Sequence, residues 1–304
     1  MTTAEGDRPQ QESFREHVER LVSEGKLTEA EAAELLEPPA ATEAAWPTEM
    51  TLEKVAMGVQ PLSDADTPPD LRLEIEGYSL RVVLDPSLER PELRASREGE
   101  VTLTPGPAGW TVRRLSQGRG LGFGVRAVLS LPFTPRHVRA EVSGGSVSLP
   151  DLSGEAQLEV SGGNASLGAC GHLHAEVSGG NLSAGAVAGQ LHLEVNGGNL
   201  SVMQAVTLKG SVNGGNLSWT GRLSEGQHRL EVNGGQATLR LDPGSSLQLE
   251  AEATLGSLSA SFPLQKTGGL MRAHYSGSLG DGAAQPRAQL SCEVNAGQIR
   301  LVTS

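Results

Sequence analysis

Two histidines and two glutamates recur at matched places in consecutive repeats, in "HAEV" at 174–177 and "HLEV" at 192–195. If these segments lie side by side, His174, Glu176, His192 and Glu194 form a square of imidazoles and carboxylates. That donor set suits a divalent metal, whose charge would also relieve repulsion between stacked carboxylates. The glutamates belong to a longer column, Glu141, Glu159, Glu176, Glu194, Glu231, Glu252 and Glu293, which could imitate the acid pair of a polysaccharide-cleaving β-helix. Ser148, Ser166, Ser183, Ser201 and Ser218 repeat just as evenly. Catalysis needs one carboxylate or one hydroxyl set apart by its surroundings, and uniform repetition offers none. The chain is therefore read as non-enzymatic. Two residues before the glutamates up to Glu252, and before Ser211 at the same place in its repeat, stands the column Arg139, Gln157, His174, His192, Lys209, Arg229 and Glu250, largely basic and on the same side. A solvated, charge-paired surface is the competing reading of the square.

What must position these columns is a nine-residue phrase. It reads "EVSGGSVSL" at 141–149, "EVSGGNASL" at 159–167, "EVSGGNLSA" at 176–184 and "EVNGGNLSV" at 194–202. It returns as "SVNGGNLSW", "EVNGGQATL" and, altered, "EVNAGQIRL" at 293–301. The paired glycines, at Gly144, Gly162, Gly179, Gly197, Gly214 and Gly234, are spaced by 18, 17, 18, 17 and 20 residues. A fixed period near 18 with strand-like alternation predicts a stack with one coil per repeat. Four columns are apolar almost throughout, among them Val142, Val160, Val177, Val195, Val212, Val232 and Val294. They supply an interior that successive coils share.

The glycines read as sharp corners, where positive φ and close stacking exclude a Cβ. Asn164, Asn181, Asn199 and Asn216 flank them and can hydrogen-bond from coil to coil. A phosphate-cradling loop would need a following helix and a Lys, and neither is present. The expected fold is mainly β: a single-stranded β-solenoid (β-helix) over 71–304, regular from about 136, with a short N-terminal α-helical hairpin. The segment "EATLGSLSA" at 252–260 reads as a degenerate coil with its corner at Gly256.

The hairpin occupies 1–37. Ser13 and Glu16 form a capping box, followed by the stripe Phe14, Val18, Leu21 and Val22, with Gly25 as C-cap. Thr28 and Glu31 repeat the box, and Pro38–Pro39 ends the second helix. Helices this short do not stand alone, so the stripe needs a partner: a second copy, the rest of the chain or another protein. Self-association through residues 13–37 is the favoured expectation. Residues 38–70, rich in Pro, Ala, Thr and Asp, read as a linker.

A net charge of −12 argues against nucleic acid as partner. Cys170 and Cys292 stand far apart, outside any metal or redox spacing. No cofactor motif, secretory signal or apolar run long enough to span a membrane is visible. The expectation is a cytoplasmic location, with peripheral envelope association as the alternative.

The phrase "VLSLPFTPRHVRAEVSGGSVSL" and the repeats after it resemble the bacterial "putative adhesin" β-strand-repeat domain of unknown function, over roughly 71–304. The segment "HVERLVSEGKLTEAEAAELLE" is similar to the short helical hairpin (SHOCT-like) of LiaX/YvlB-type cell-envelope stress proteins. The resemblance implies a scaffold or interaction role in envelope stress or assembly, or else a surface module binding glycan or protein. It implies no catalytic residues.

Overall fold

A computed structural model describes residues 14–36, 67–97, 99–115, 124–269, 271–280 and 287–304. Ser13 and most of the expected linker lie outside these residues. The protein is mainly β, with two short helices and one continuous sheet wrapped into a nearly closed, barrel-like shell.

Alternating apolar residues decide how the strands meet. Each regular repeat places one strand in each of two parallel ladders. The first ladder runs through β6 (His137–Leu149), β7 (Glu155–Leu167), β8 (His172–Val177), β10 (Leu191–Val195), β12 (Lys209–Val212) and β14 (Glu225–Val232). The second uses the far halves of β6 and β7, then β9 (Asn181–Val187), β11 (Asn199–Ala205), β13 (Asn216–Gly221) and β15 (Gln236–Leu241). Equivalent residues pair across the coils, Val160 with Val177 and Val177 with Val195. All three valines are at most 1% exposed. A slip of one residue would turn every such column into water, so the register is strongly held. A further inward column, Leu152, Cys170, Val187 and Ala205, closes the repeats on the side away from the glycine corner. Burial pushes the Cys170 thiol up to about 11 and that of Cys292 up to about 12, so both act as small hydrophobes.

Stacking follows chain order in the middle and departs from it at both ends. The first strand, β1 (Leu71–Leu84), lies between β6 and the pair β4 (Gly109–Arg114) and β5 (Val125–Leu131). The last two, β20 (Arg287–Val294) and β21 (Gln298–Thr303), lie between β14 and β15 on one side and β16 (Leu247–Thr254) and β17 (Ser257–Ala260) on the other. The coil at 252–260 is therefore terminal in space, and the final repeat fills the slot before it. Antiparallel strands cover the outermost positions. β2 (Glu92–Ala95) pairs with β5 and β3 (Val101–Gly106) with β4; β19 (Arg272–Leu279) pairs with β16 and β18 (Leu264–Gly268) with β19. β17, four residues long, is left with β21 as its strand partner, and a short edge resists unwanted pairing.

The hairpin folds as its sequence directs. α1 (Phe14–Ser23) ends at Gly25, whose φ is +71°. Thr28 and Glu31 form the capping box of α2 (Glu29–Leu36), with the Thr28 N–H donating to Glu31 Oε2 at 2.8 Å. Within the hairpin's apolar stripe, Val18 and Leu21 are covered by the chain itself. Val18, Leu21 and Leu27 pack with Val83 of β1 and Val128 of β5, on the outer surface of the second ladder. Fully burying one such side chain is worth about 2 kcal/mol. The contact is fastened by Lys26 to Asp85 at 2.6 Å and Arg81 to Glu31 at 2.9 Å. The argument for self-association, an uncovered stripe on residues 13–37, is corrected by this docking: Val18 and Leu21 are 0% exposed in the single chain.

Candidate binding face

The corner comes first, because it aims both outer surfaces. The left-handed conformation falls on the second glycine of each pair, from φ +88° at Gly145 to +76° at Gly198. A Cβ on Gly163, Gly180, Gly198 or Gly215 would overlap the carbonyl oxygen of the corner glycine one coil below. The first glycines have ordinary φ. Gly179, Gly197 and Gly234 are held small by the neighbouring coil, whereas a Cβ on Gly144 or Gly162 would meet nothing closer than 3.6 and 3.7 Å. The expected corner residues Gly144, Gly162, Gly179, Gly197, Gly214 and Gly234 each stand one residue before the glycine that carries the positive φ.

Asparagine ladders run along both sides of the corner. Asn181 donates to Asn164, Asn199 to Asn181 and Asn216 to Asn199, each at 2.8 Å. On the other side Asn213 donates to Asn196 and Asn233 to Asn213. Asn295, 62 residues on, then donates to Asn233 at 2.6 Å.

The outer surface of the first ladder is charged and internally compensated. Arg139 contacts Glu141 at 3.2 Å and Glu159 at 3.6 Å, and Arg229 reaches Glu231 and Glu293 at 4.0 and 3.8 Å. His174 and His192 are ladder partners, and so are Glu176 and Glu194. The four do not converge. The imidazoles stack face to face, centroids 4.9 Å apart and planes within 2°. Glu176 and Glu194 instead accept from Asn196 at 3.4 and 3.3 Å, toward the corner. Among the described residues no three His, Cys, Asp or Glu come together in a set able to hold a metal ion. Burial, with His174 and Lys209 beside it, lowers the pKa of His192. Here the alternation of basic and acidic columns yields the solvated, paired surface.

The outer surface of the second ladder is of another kind. Ser148, Ser166, Ser183, Ser201, Ser218 and Thr238 pair in register as one column of hydroxyls. Beside it runs the column Asn164, Asn181, Asn199, Asn216 and Gln236. Together they floor a shallow groove of about 820 Å³ along the stack. None of the six hydroxyls has a protein hydrogen-bond partner among the described residues. Asn181, Asn199 and Asn216 each spend one N–H on the preceding asparagine and keep a second for a ligand or water. The groove begins at Arg81 and Arg126, below the hairpin, and reaches Arg240 at the other end; among the described residues its lining contains no carboxylate. The sequence reading noticed these serines as failed nucleophiles and missed them as a surface. The N-x-S triplet, repeated with Asn and Ser on one side of the strand, was the signal.

No family model and no curated protein matches the chain. Among solved structures it is similar to a "putative adhesin" from Bacteroides fragilis at 12% identity, covering 80% of this chain and 100% of that one, with a TM-score of 0.46. It is also similar to a "putative cell adhesion protein" from Clostridium sporogenes at 12% identity, covering 81% and 97%, with a TM-score of 0.22. Scores this low carry no argument about what the chain does, and neither likeness bears on the helical hairpin.

Proposed function

We propose that the β region is a single-stranded β-solenoid of about 18-residue coils that works as a non-enzymatic interaction module, with the hydroxyl face as its contact surface. One observation carries this reading. The same repeats present two outer surfaces, and on the hydroxyl face a whole column of hydroxyls stays without protein partners among the described residues. Open donors and acceptors repeated at one strand spacing, ~4.8 Å, match a partner that is itself extended and repetitive. On the charged face Arg139 and Arg229 already engage glutamates, and Asn196 engages Glu176 and Glu194. A scaffold that gathers copies through the hairpin is disfavoured because Val18 and Leu21 of the hairpin stripe are already covered. The envelope role implied by the family resemblance fits a module of this sort and sets the choice of partner to test.

The test is co-sedimentation of the full chain with purified bacterial cell-wall sacculi. Replacing Ser183 and Ser201 together with Tyr fills the groove while keeping good strand formers. The expected result is loss of pelleting in that variant and retention in Glu159→Gln on the opposite surface. Undiminished pelleting of a folded Ser183→Tyr, Ser201→Tyr protein would remove the hydroxyl face as the contact surface.

A further inference from the structure

The charge of the groove is opposite in sense to that of the molecule. The chain carries −12, yet among the described residues the groove lining holds three arginines and no Asp or Glu. Arg81 is engaged by Glu31 at 2.9 Å. At the far end the situation differs. Arg240 lines the groove, and Arg300, paired with Thr238, continues the hydroxyl column into the next coil. Arg240 pairs with Val302, which places the two arginines diagonally on one outward surface. Both are exposed, and neither makes an ion pair among the described residues.

Resting on the reading of the hydroxyl face as a binding surface, we propose that its ligand is an acidic polysaccharide laid along the stacking axis. Its sugar hydroxyls would meet the serine and asparagine columns, and its carboxylates the Arg240–Arg300 pair. An extended, 1,4-linked chain advances per sugar by a distance comparable to the strand spacing of ~4.8 Å, so several sugars can stay in step with several coils. Free arginines suit this ligand because the guanidinium fork binds a carboxylate through two parallel hydrogen bonds. The carboxylate columns of the opposite surface repel such a chain, which leaves the groove as its berth. Single-stranded nucleic acid, the other common linear polyanion, is held by aromatic stacking together with basic side chains, and among the described residues the groove lining contains no aromatic ring.

The experiment is isothermal titration of the full chain with oligogalacturonate, with a neutral gluco-oligosaccharide and with oligothymidylate of matched length. Oligogalacturonate should bind, weaken as salt is raised, and fall about tenfold in affinity in the Arg240→Gln, Arg300→Gln variant. It should be lost in Ser183→Tyr, Ser201→Tyr. Equal binding of the neutral oligosaccharide, unaffected by the arginine changes, would overturn the acidic ligand and leave the hydroxyl face standing. Oligothymidylate binding as tightly would overturn it too, by showing a general polyanion surface. If oligogalacturonate fails to bind while sacculi still pellet the protein, this inference falls alone. If both fail, the reading beneath it falls as well.

Discussion

Two surfaces are built by the same coils, on the same shared core and around the same glycine corner, yet they differ in what they leave undone. On the first ladder every acidic column stands beside a basic one, and Arg139 and Arg229 each span two glutamates. On the second, six hydroxyls in register have no hydrogen-bond partner among the described residues. Repetition alone therefore does not mark a site. Strand register copies any residue type into a column, and the physics of the column then decides. Stacked carboxylates repel and must be offset locally, whereas stacked hydroxyls are neutral and can remain open at no electrostatic cost.

The largest effect that could break this comparison lies at the corner that sets the angle between the surfaces. Gly163 has φ +85°, and a Cβ there would overlap the Gly145 carbonyl oxygen. Gly162 has ordinary φ, and its added Cβ would lie 3.7 Å from the Ser143 oxygen. Gly163→Ala should destabilise by about 3 kcal/mol or more, the left-handed backbone costing about 1–2 kcal/mol and the overlap the rest. Gly162→Ala should stay within about 0.5 kcal/mol. Urea unfolding of the two variants measures both. Equal costs would mean that the corner is not a rigid hinge, and the two surfaces would lose their common frame.

A smaller effect probes where the outer surface of the second ladder is covered. Asp85 is 0% exposed and accepts from Lys26 at 2.6 Å and from the Ser87 hydroxyl at 2.6 Å. Burial alone would raise its pKa, but Lys26 and the Ser87 hydroxyl and N–H outweigh it and hold the carboxyl down to about 2. A carboxylate whose folded pKa lies below its unfolded value contributes its full stability above the unfolded value of ~3.9. That contribution is lost as pH falls from there toward about 2, and amounts to about 2 kcal/mol. Asp85→Asn should give a similar loss at neutral pH, flatten the acid limb of the stability curve, and expose the hairpin to protease before the coils. An unchanged acid limb would mean that Asp85 does not fasten the hairpin.

How much of this was legible in sequence depended on whether the cause was local. The inward columns, the period and the Thr28–Glu31 box are local patterns and were readable. The hairpin's berth was half readable: Val82–Val83 and Val128–Leu129 break strict alternation, as strands covered on both sides do. The displaced end coils were not, because spacing along the chain reports order of synthesis and pairing reports fit in space. Even so, "EVNGGQ" at 231–236 and "EVNAGQ" at 293–298 match more closely than either matches 252–257, and those two segments are ladder neighbours. The arrangement of the square was not readable. Register brings His174 beside His192, where the rings stack, while Glu176 and Glu194 turn to Asn196.

The smallest expected effect sharpens the comparison from the charged side. Arg139, about half exposed at 49%, touches Glu141 and Glu159, which are 40% and 39% exposed. Ion pairs this wet gain little, because water screens the attraction and ordering the long side chain costs entropy. Arg139→Gln should therefore cost less than about 0.5 kcal/mol, and the difference from the parent should vanish near 1 M salt, where the screening length is ~3 Å. Thermal unfolding at low and high salt reads both quantities. A cost well above about 1 kcal/mol that survives high salt would show the arginine acting through packing over the carboxylate column. The charged surface would then be a structural wall rather than a solvated one, and its contrast with the open hydroxyls would rest on rigidity as well as on charge.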